Sequence, residues 1–142
     1  MKSASSTGKS DNTPAIEGAY EIIMLIDDNP MDNFINQRMI ESCGFAAQVI
    51  CFESAPEALL HLEKNEALPS LILLDINMPE MNGFEFLEAF EKLNTTIHEH
   101  CKVLMLSTSE NFKDLNRANK NRFVSKFLNK PLSVNVLKAI KV

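Results

Sequence analysis

Five times along this chain a short apolar run is followed by a turn and then by a stretch whose apolar residues recur at helical spacing. Ile22–Ile26 reads as a first strand, and the segment after it predicts a helix with Met31, Phe34, Ile35 and Met39 on one face. Gln48–Phe52 is the second run. Ser54-Ala55-Pro56-Glu57 then supplies an N-cap hydroxyl with a glutamate three residues on, opening a helix through Leu59 and Leu62. Leu71–Leu74 precedes a helix expected to begin at Asn82, with Glu85 at its third position and Phe86, Leu87, Phe90 and Leu93 facing inward. Val103–Leu106 with Phe112, Leu115 and Ala118, and Val124–Leu128 with Ser133, Val136, Leu137 and Ile140, complete the series.

Continuous apolar strands alternating with helices imply parallel pairing, because a parallel sheet buries both faces and its right-handed crossovers lay helices on each side. The expected fold class is α/β: a doubly wound five-stranded parallel sheet with helices on both faces. In such sheets ligands sit beyond the carboxyl ends of the strands, so chemistry is sought in the residues that follow each run.

Composition narrows the function classes. With 142 residues, 45% of them hydrophobic and 23% charged, the chain can build one domain with a substantial core, which excludes wholesale disorder. A net charge of −5 supplies no positive field for phosphate backbones, so nucleic acid is not an expected partner. Cys43, Cys51 and Cys101 form no Cys-x-x-Cys pair and leave an odd thiol, as reduced intracellular cysteines would. The start has no apolar leader segment, and no run approaches the roughly 20 residues of a membrane span, so a cytoplasmic protein without membrane insertion is expected. Residues 1–19, rich in Ser, Thr, Asn, Gly and Pro, are expected to be a disordered tail ahead of a folded domain over 20–142. Its TGKS (Thr7–Ser10) lacks the upstream glycine and strand of a phosphate-binding loop and is read as coincidence.

The strand ends carry the informative residues: Asp27 and Asp28 after the first run, Asp75 after the third, Ser107 and Thr108 after the fourth, and Lys130-Pro131 after the fifth. An aspartate after a strand often does no more than cap a helix. Three carboxylates drawn to one edge repel one another unless a cation neutralises them or they retain protons. Oxygen-only ligands with few carboxylates suit Mg²⁺, which commonly shares its sphere with a phosphoryl group, and an ammonium such as that of Lys130 can pair with either. The expected chemistry is phosphoryl transfer.

LIDD (Leu25–Asp28), LLDINMPEMNGFEFL (Leu73–Leu87), LMLST (Leu104–Thr108) and FLNKP (Phe127–Pro131) follow one another with spacings of 47, 32 and 23 positions from Asp28 to Asp75, Asp75 to Ser107 and Ser107 to Lys130. In these motifs, their order and their spacing, the chain resembles the receiver domains of two-component response regulators, as in the single-domain CheY-like proteins, from about Glu21 to Val142. The resemblance implies a flavodoxin-like strand order 2-1-3-4-5. It implies Asp75 as phosphoacceptor, and Mg²⁺ held by Asp27, Asp28, Asp75 and the backbone carbonyl of Asn77. It further implies Ser107 as the switch hydroxyl, Lys130 as the charge on the phosphoryl group, Phe127 as an aromatic switch that turns inward, and a cis bond before Pro131 that aims Lys130. Its expected partners are a sensor histidine kinase or histidine phosphotransfer protein and a downstream output protein. On this view the domain stands alone and is a phosphoacceptor that assists its own phosphorylation and dephosphorylation rather than an enzyme.

Two departures stand out: Ser107 replaces the commoner Thr, and the β-branched Thr108 stands where the family often has Ala or Gly, narrowing access to the phosphoryl group. A haloacid-dehalogenase-like phosphatase would need a second acid two residues after Asp75, where Asn77 stands. A phosphate-independent pseudo-receiver would be expected to lack an acid or the lysine, and all four are present. Met24, Met39 and Met105 are assigned to packing. Of Phe84 and Phe86, one is expected inside and the other partly exposed, and His98-Glu99-His100-Cys101 is expected to be a solvated loop before a strand.

Overall fold

The computed structural model describes residues 20–108 and 112–140. The expected tail over residues 1–19 and its TGKS lie outside the described residues, as does the side chain of Phe112. The elements in chain order are β1 (Tyr20–Ile26), α1 (Pro30–Ser42), β2 (Ala46–Phe52), α2 (Ala55–Glu63), β3 (Leu71–Asp75), α3 (Gly83–Glu91), α4 (Thr95–His100), β4 (Lys102–Ser107), α5 (Phe112–Lys120), β5 (Val124–Asn129) and α6 (Val134–Ala139). The strands form one sheet in the order β2-β1-β3-β4-β5, every pair parallel. This is the expected 2-1-3-4-5 arrangement. Among the described residues no helix is long and apolar enough to cross a membrane.

Alternation along the strands divides the core in two. Ile23 and Leu25 of β1, Leu71 and Leu73 of β3, and Leu104 and Leu106 of β4 pack with Ile40 of α1 and Leu137 of α6. Met24, Ile26, Ile72, Leu74, Val103 and Met105 point the other way, onto Leu62 of α2, Phe86 and Phe90 of α3 and Ala118 of α5. Successive side chains of a strand take opposite faces, so the central strands β1, β3 and β4, buried on both sides, carry unbroken apolar runs, whereas the edge strands β2 and β5 keep exposed polar positions such as Gln48 and Ser125. The polar groups at the helix starts are satisfied locally. Asn82 and Glu85 exchange reciprocal bonds in a capping box, and the side chains of Ser54, Asn94 and Ser133 each accept a backbone N–H of the first turn.

Three local expectations are corrected. Three of the four apolar side chains expected on the inner face of α1 point away from the sheet: Met31, Phe34 and Ile35 are 61, 57 and 49% exposed, whereas Asn33 and Ile40 are buried and Met39 is partly so. Apolar periodicity picks the wrong stripe because the buried one carries an asparagine, whose amide donates to the strand-end carbonyls of Asp27 (2.9 Å) and Phe52 (3.3 Å). The stretch through His98 is a short helix rather than a solvated loop. Ile97 and Cys101 are buried, and the His98 ring packs on Phe90 and Phe123 with its Nε2 2.6 Å from the Phe90 carbonyl. Phe84 and Phe86 are both buried, the former beneath the guanidinium of Arg117, 4.2 Å from its ring centre.

Gly83, the first residue of α3, presses against the end of β3. A Cβ built there would lie 2.7 Å from the Asp75 carbonyl oxygen and 2.9 Å from Met105 Cε, while the Gly83 N–H donates to the Ile76 carbonyl at 2.8 Å. Gly83→Ala is therefore expected to cost about 1–3 kcal/mol, read from the midpoint of urea unfolding, because backbone as well as side chain must move to admit the methyl.

Candidate functional site

Strand register brings distant residues to one edge. Ile26 pairs with Leu74, Asp75 with Leu106 and Ser107 with Asn129, so Asp27, Asp75, Ser107 and Lys130 all fall at the carboxyl end of the sheet. Asp27, Asp75 and Ser107 are buried there. Oxygen atoms of Asp27, Asp28 and Asp75 lie within 4.8 Å of one another. Asn77, two residues past Asp75, is exposed at the same edge.

Lys130 holds this group together. Its Nζ lies 2.7 Å from Asp27 Oδ2, 3.3 Å from Asp75 Oδ1 and 3.3 Å from Asp32 Oδ2. Its backbone N–H donates to the Ser107 carbonyl at 2.9 Å, tying the loop after β5 to the end of β4, and the bond to Pro131 is cis. The second oxygen of Asp27 accepts the Asn29 N–H at 2.9 Å. Asn29, not Asp28, caps α1, its side chain accepting from the N–H groups of Met31 and Asp32. That leaves the Asp28 carboxylate without capping duty. Phe127 is partly buried on the face of Phe86 and Phe90, and its strand partner is Met105. Thr108 is exposed on an open cleft of about 280 Å³, which it lines with Asp32, Ile35, Asn36, Lys130, Pro131 and Leu132.

A family profile described as the response regulator receiver domain matches residues 23–141. The chain belongs to the response regulator receiver family. Among solved structures, the two-component response regulator from Cytophaga hutchinsonii superposes on this receiver with a TM-score of 0.78 at 30% identity, covering 84% of this chain and 92% of that one. The Mn²⁺-bound form of response regulator Rcp1, a protein of Synechocystis, gives a TM-score of 0.68 at 25% identity, covering 83% and 86%. The probable methanogenesis regulatory protein FilR2 of Methanothrix harundinacea is 32% identical over 121 residues, 82% of this receiver and 76% of that protein. The curated relatives that this chain matches share from 5% to 76% of their own length with it. Receivers are signalling proteins of phosphorelays rather than conventional enzymes.

The site of this receiver includes residues that the strand-end rule did not reach. Asp32, in the first turn of α1, touches Lys130, and Asn33 fixes the Asp27 carbonyl. Neither stands directly after a strand, and no spacing in the sequence marks them.

Burial, with the neighbouring charge of Asp27, pushes the Asp75 carboxyl up to about 6 against the opposing pull of Lys130. Burial works against the Lys130 ammonium, but its hydrogen bond to Asp27 and the charges of Asp75 and Asp27 outweigh that and raise it to about 12. An acid whose pKa is raised on folding binds its proton more tightly in the native state than in the unfolded chain. Stability therefore falls as pH rises from about 4 to about 6. Asp75→Asn removes this cost. In chelator-treated protein its Tm is expected to exceed the parent's by a few degrees at pH 7.5, with the gap closing as pH approaches 4, measured by thermal melts across that range.

Proposed function

We propose that this receiver is a cytoplasmic phospho-aspartate switch in which Asp75 accepts a phosphoryl group from the phosphohistidine of a sensor histidine kinase or a histidine phosphotransfer protein. The observation that carries this reading is the Lys130 ammonium, 3.3 Å from Asp75 inside a pocket of three clustered carboxylates. The donor set fits a hard divalent cation: it is all oxygen, converging from two strand ends, with one strong positive charge beside it. Asp27, Asp28 and Asp75, with the Asn77 carbonyl, would hold Mg²⁺, which when bound supplies positive charge to the phosphoryl oxygens.

In the transfer an Asp75 carboxylate oxygen forms a bond to phosphorus as the P–N bond to the donor imidazole breaks, and the imidazole leaves with a proton. Asp75 is a weak nucleophile, so the chain's contribution is placement and charge. Lys130 meets the charge that shifts onto the phosphoryl oxygens, held by Asp27 so that it need not reorganise. In the phosphorylated protein the Ser107 hydroxyl donates to a phosphoryl oxygen, and Phe127 turns inward. The altered surface then selects a downstream output protein.

The exposed apolar side chains of α1 support a macromolecular donor. Ile35 lines the cleft beside Lys130, and Met31 and Phe34 extend the apolar surface away from it, with Arg38 5.8 Å from the Phe34 ring centre.

Acetyl phosphate with Mg²⁺ is expected to add one phosphoryl group to the parent and none to Asp75→Asn by intact mass, with Lys130→Ala labelled roughly a hundredfold more slowly. A labelled Asp75→Asn would refute the assignment. Mg²⁺ alone is expected to raise the Tm of the parent, since it binds the assembled carboxylates and not the unfolded chain. Phe34→Ala is expected to slow transfer from a phosphorylated histidine phosphotransfer protein several-fold while leaving labelling by acetyl phosphate unchanged, as quenched time courses with both donors would report.

A further inference from the structure

Three carboxylates share the Lys130 ammonium, and only two of them belong to the clustered acids. The third, Asp32, lies 3.3 Å from Nζ and stands outside the group formed by Asp27, Asp28 and Asp75. Its backbone is fixed in the first turn of α1, where its N–H donates to Asn29 Oδ1 at 3.2 Å. Its side chain is 39% exposed and forms a wall of the cleft that also holds Thr108 and Pro131. Asp32 thus touches the catalytic cation from the solvent side, whereas Asp27 holds the same cation from within at the shorter distance of 2.7 Å.

An ammonium has three N–H donors, and here Asp27 and Asp32 accept two of them while Asp75 faces the same ammonium as an ion pair at 3.3 Å. A phosphoryl group arriving at Asp75 needs one of those donors. It also approaches a cleft whose wall carries a negative charge that the clustered acids do not need. Both effects have the same sign: Asp32 draws Lys130 toward solvent and repels an anion at the mouth. Losing Asp32 does not release Lys130, because the buried Asp27 contact remains.

We propose that Asp32 is a positioning residue that diverts part of the Lys130 charge away from Asp75 and so discriminates against small free anionic phosphodonors. The proposal rests on the phosphoacceptor role of Asp75. A phosphohistidine delivered by a docked protein gains compensating contacts on α1 and is less affected, whereas a free acyl phosphate meets the full repulsion.

The test uses the whole chain with Mg²⁺ and acetyl phosphate, comparing initial labelling rates by intact mass for the parent, Asp32→Asn, Asp32→Glu and Asp75→Asn at low and at high salt. Asp32→Asn is expected to label about three- to tenfold faster than the parent at low ionic strength, with the gain shrinking as salt screens the removed charge. Asp32→Glu, which restores the charge, is expected to return toward the parental rate. A purely structural role for Asp32 would not produce a salt-dependent gain that glutamate reverses. Equal or slower labelling of Asp32→Asn at every salt concentration, with Asp75→Asn unlabelled, would overturn the role of Asp32 and leave Asp75 as acceptor. Failure of the parent itself to label, or labelling of Asp75→Asn, would remove the acceptor assignment and this proposal together.

Discussion

One ammonium makes the acidic edge of this sheet tenable. Asp27 and Asp75 are buried, and their negative charges stand close enough to a third carboxylate to share a single ion. Without Lys130 at 2.7 and 3.3 Å, folding would have to leave those acids protonated or separated. The positive charge comes from a residue more than a hundred positions away from Asp27 in sequence, so the pocket exists only once the sheet is assembled from its second to its fifth strand. Stability and chemistry are therefore in tension here. Burial first, and then the charge of Asp27, lift the Asp75 carboxyl to about 6, so the edge keeps a cost that one ammonium does not cancel.

The doubly wound architecture turns that local arrangement into a reproducible one. Parallel pairing aligns all the strand ends, and alternation along β1, β3 and β4 anchors the same strands into two separate cores, one under α1 and α6 and the other under α2, α3 and α5. A one-residue slip of any central strand would exchange its two apolar sets and displace its terminal side chain from the edge. The precision of the pocket is thus secured by side chains that never touch it. Gly83 adds a direct limit, since the start of α3 lies against the carbonyl of Asp75 with no room for a methyl.

Fold class, strand order and the strand-end residues were legible in the sequence because each rests on a strong, short-range signal. Runs such as Ile22–Ile26 and Leu71–Leu74 are apolar on both faces, and Asn82 with Glu85 announces a helix start that the structure forms with both reciprocal bonds. The inner face of α1 was not legible, because burial of Asn33 depends on two carbonyls presented by different strands, a tertiary circumstance that periodicity does not encode. The short helix around His98 was missed for a related reason: its polar composition conceals Ile97, and its histidine is held by aromatic rings from α3 and from the segment before β5. Asp32 was invisible because its partner is distant in the chain and its own position is that of an ordinary first-turn acid.

The amide of Asn33 carries a mechanical consequence. It bridges the peptide of Asp27 and the end of β2 from beneath a helix whose opposite surface is open and apolar. That outer surface is joined, through the body of α1 and the one side chain of Asn33, to the peptide that carries the buried Asp27. The open apolar face of α1 and the peptide of Asp27 are thus separated by no more than one helix and one amide.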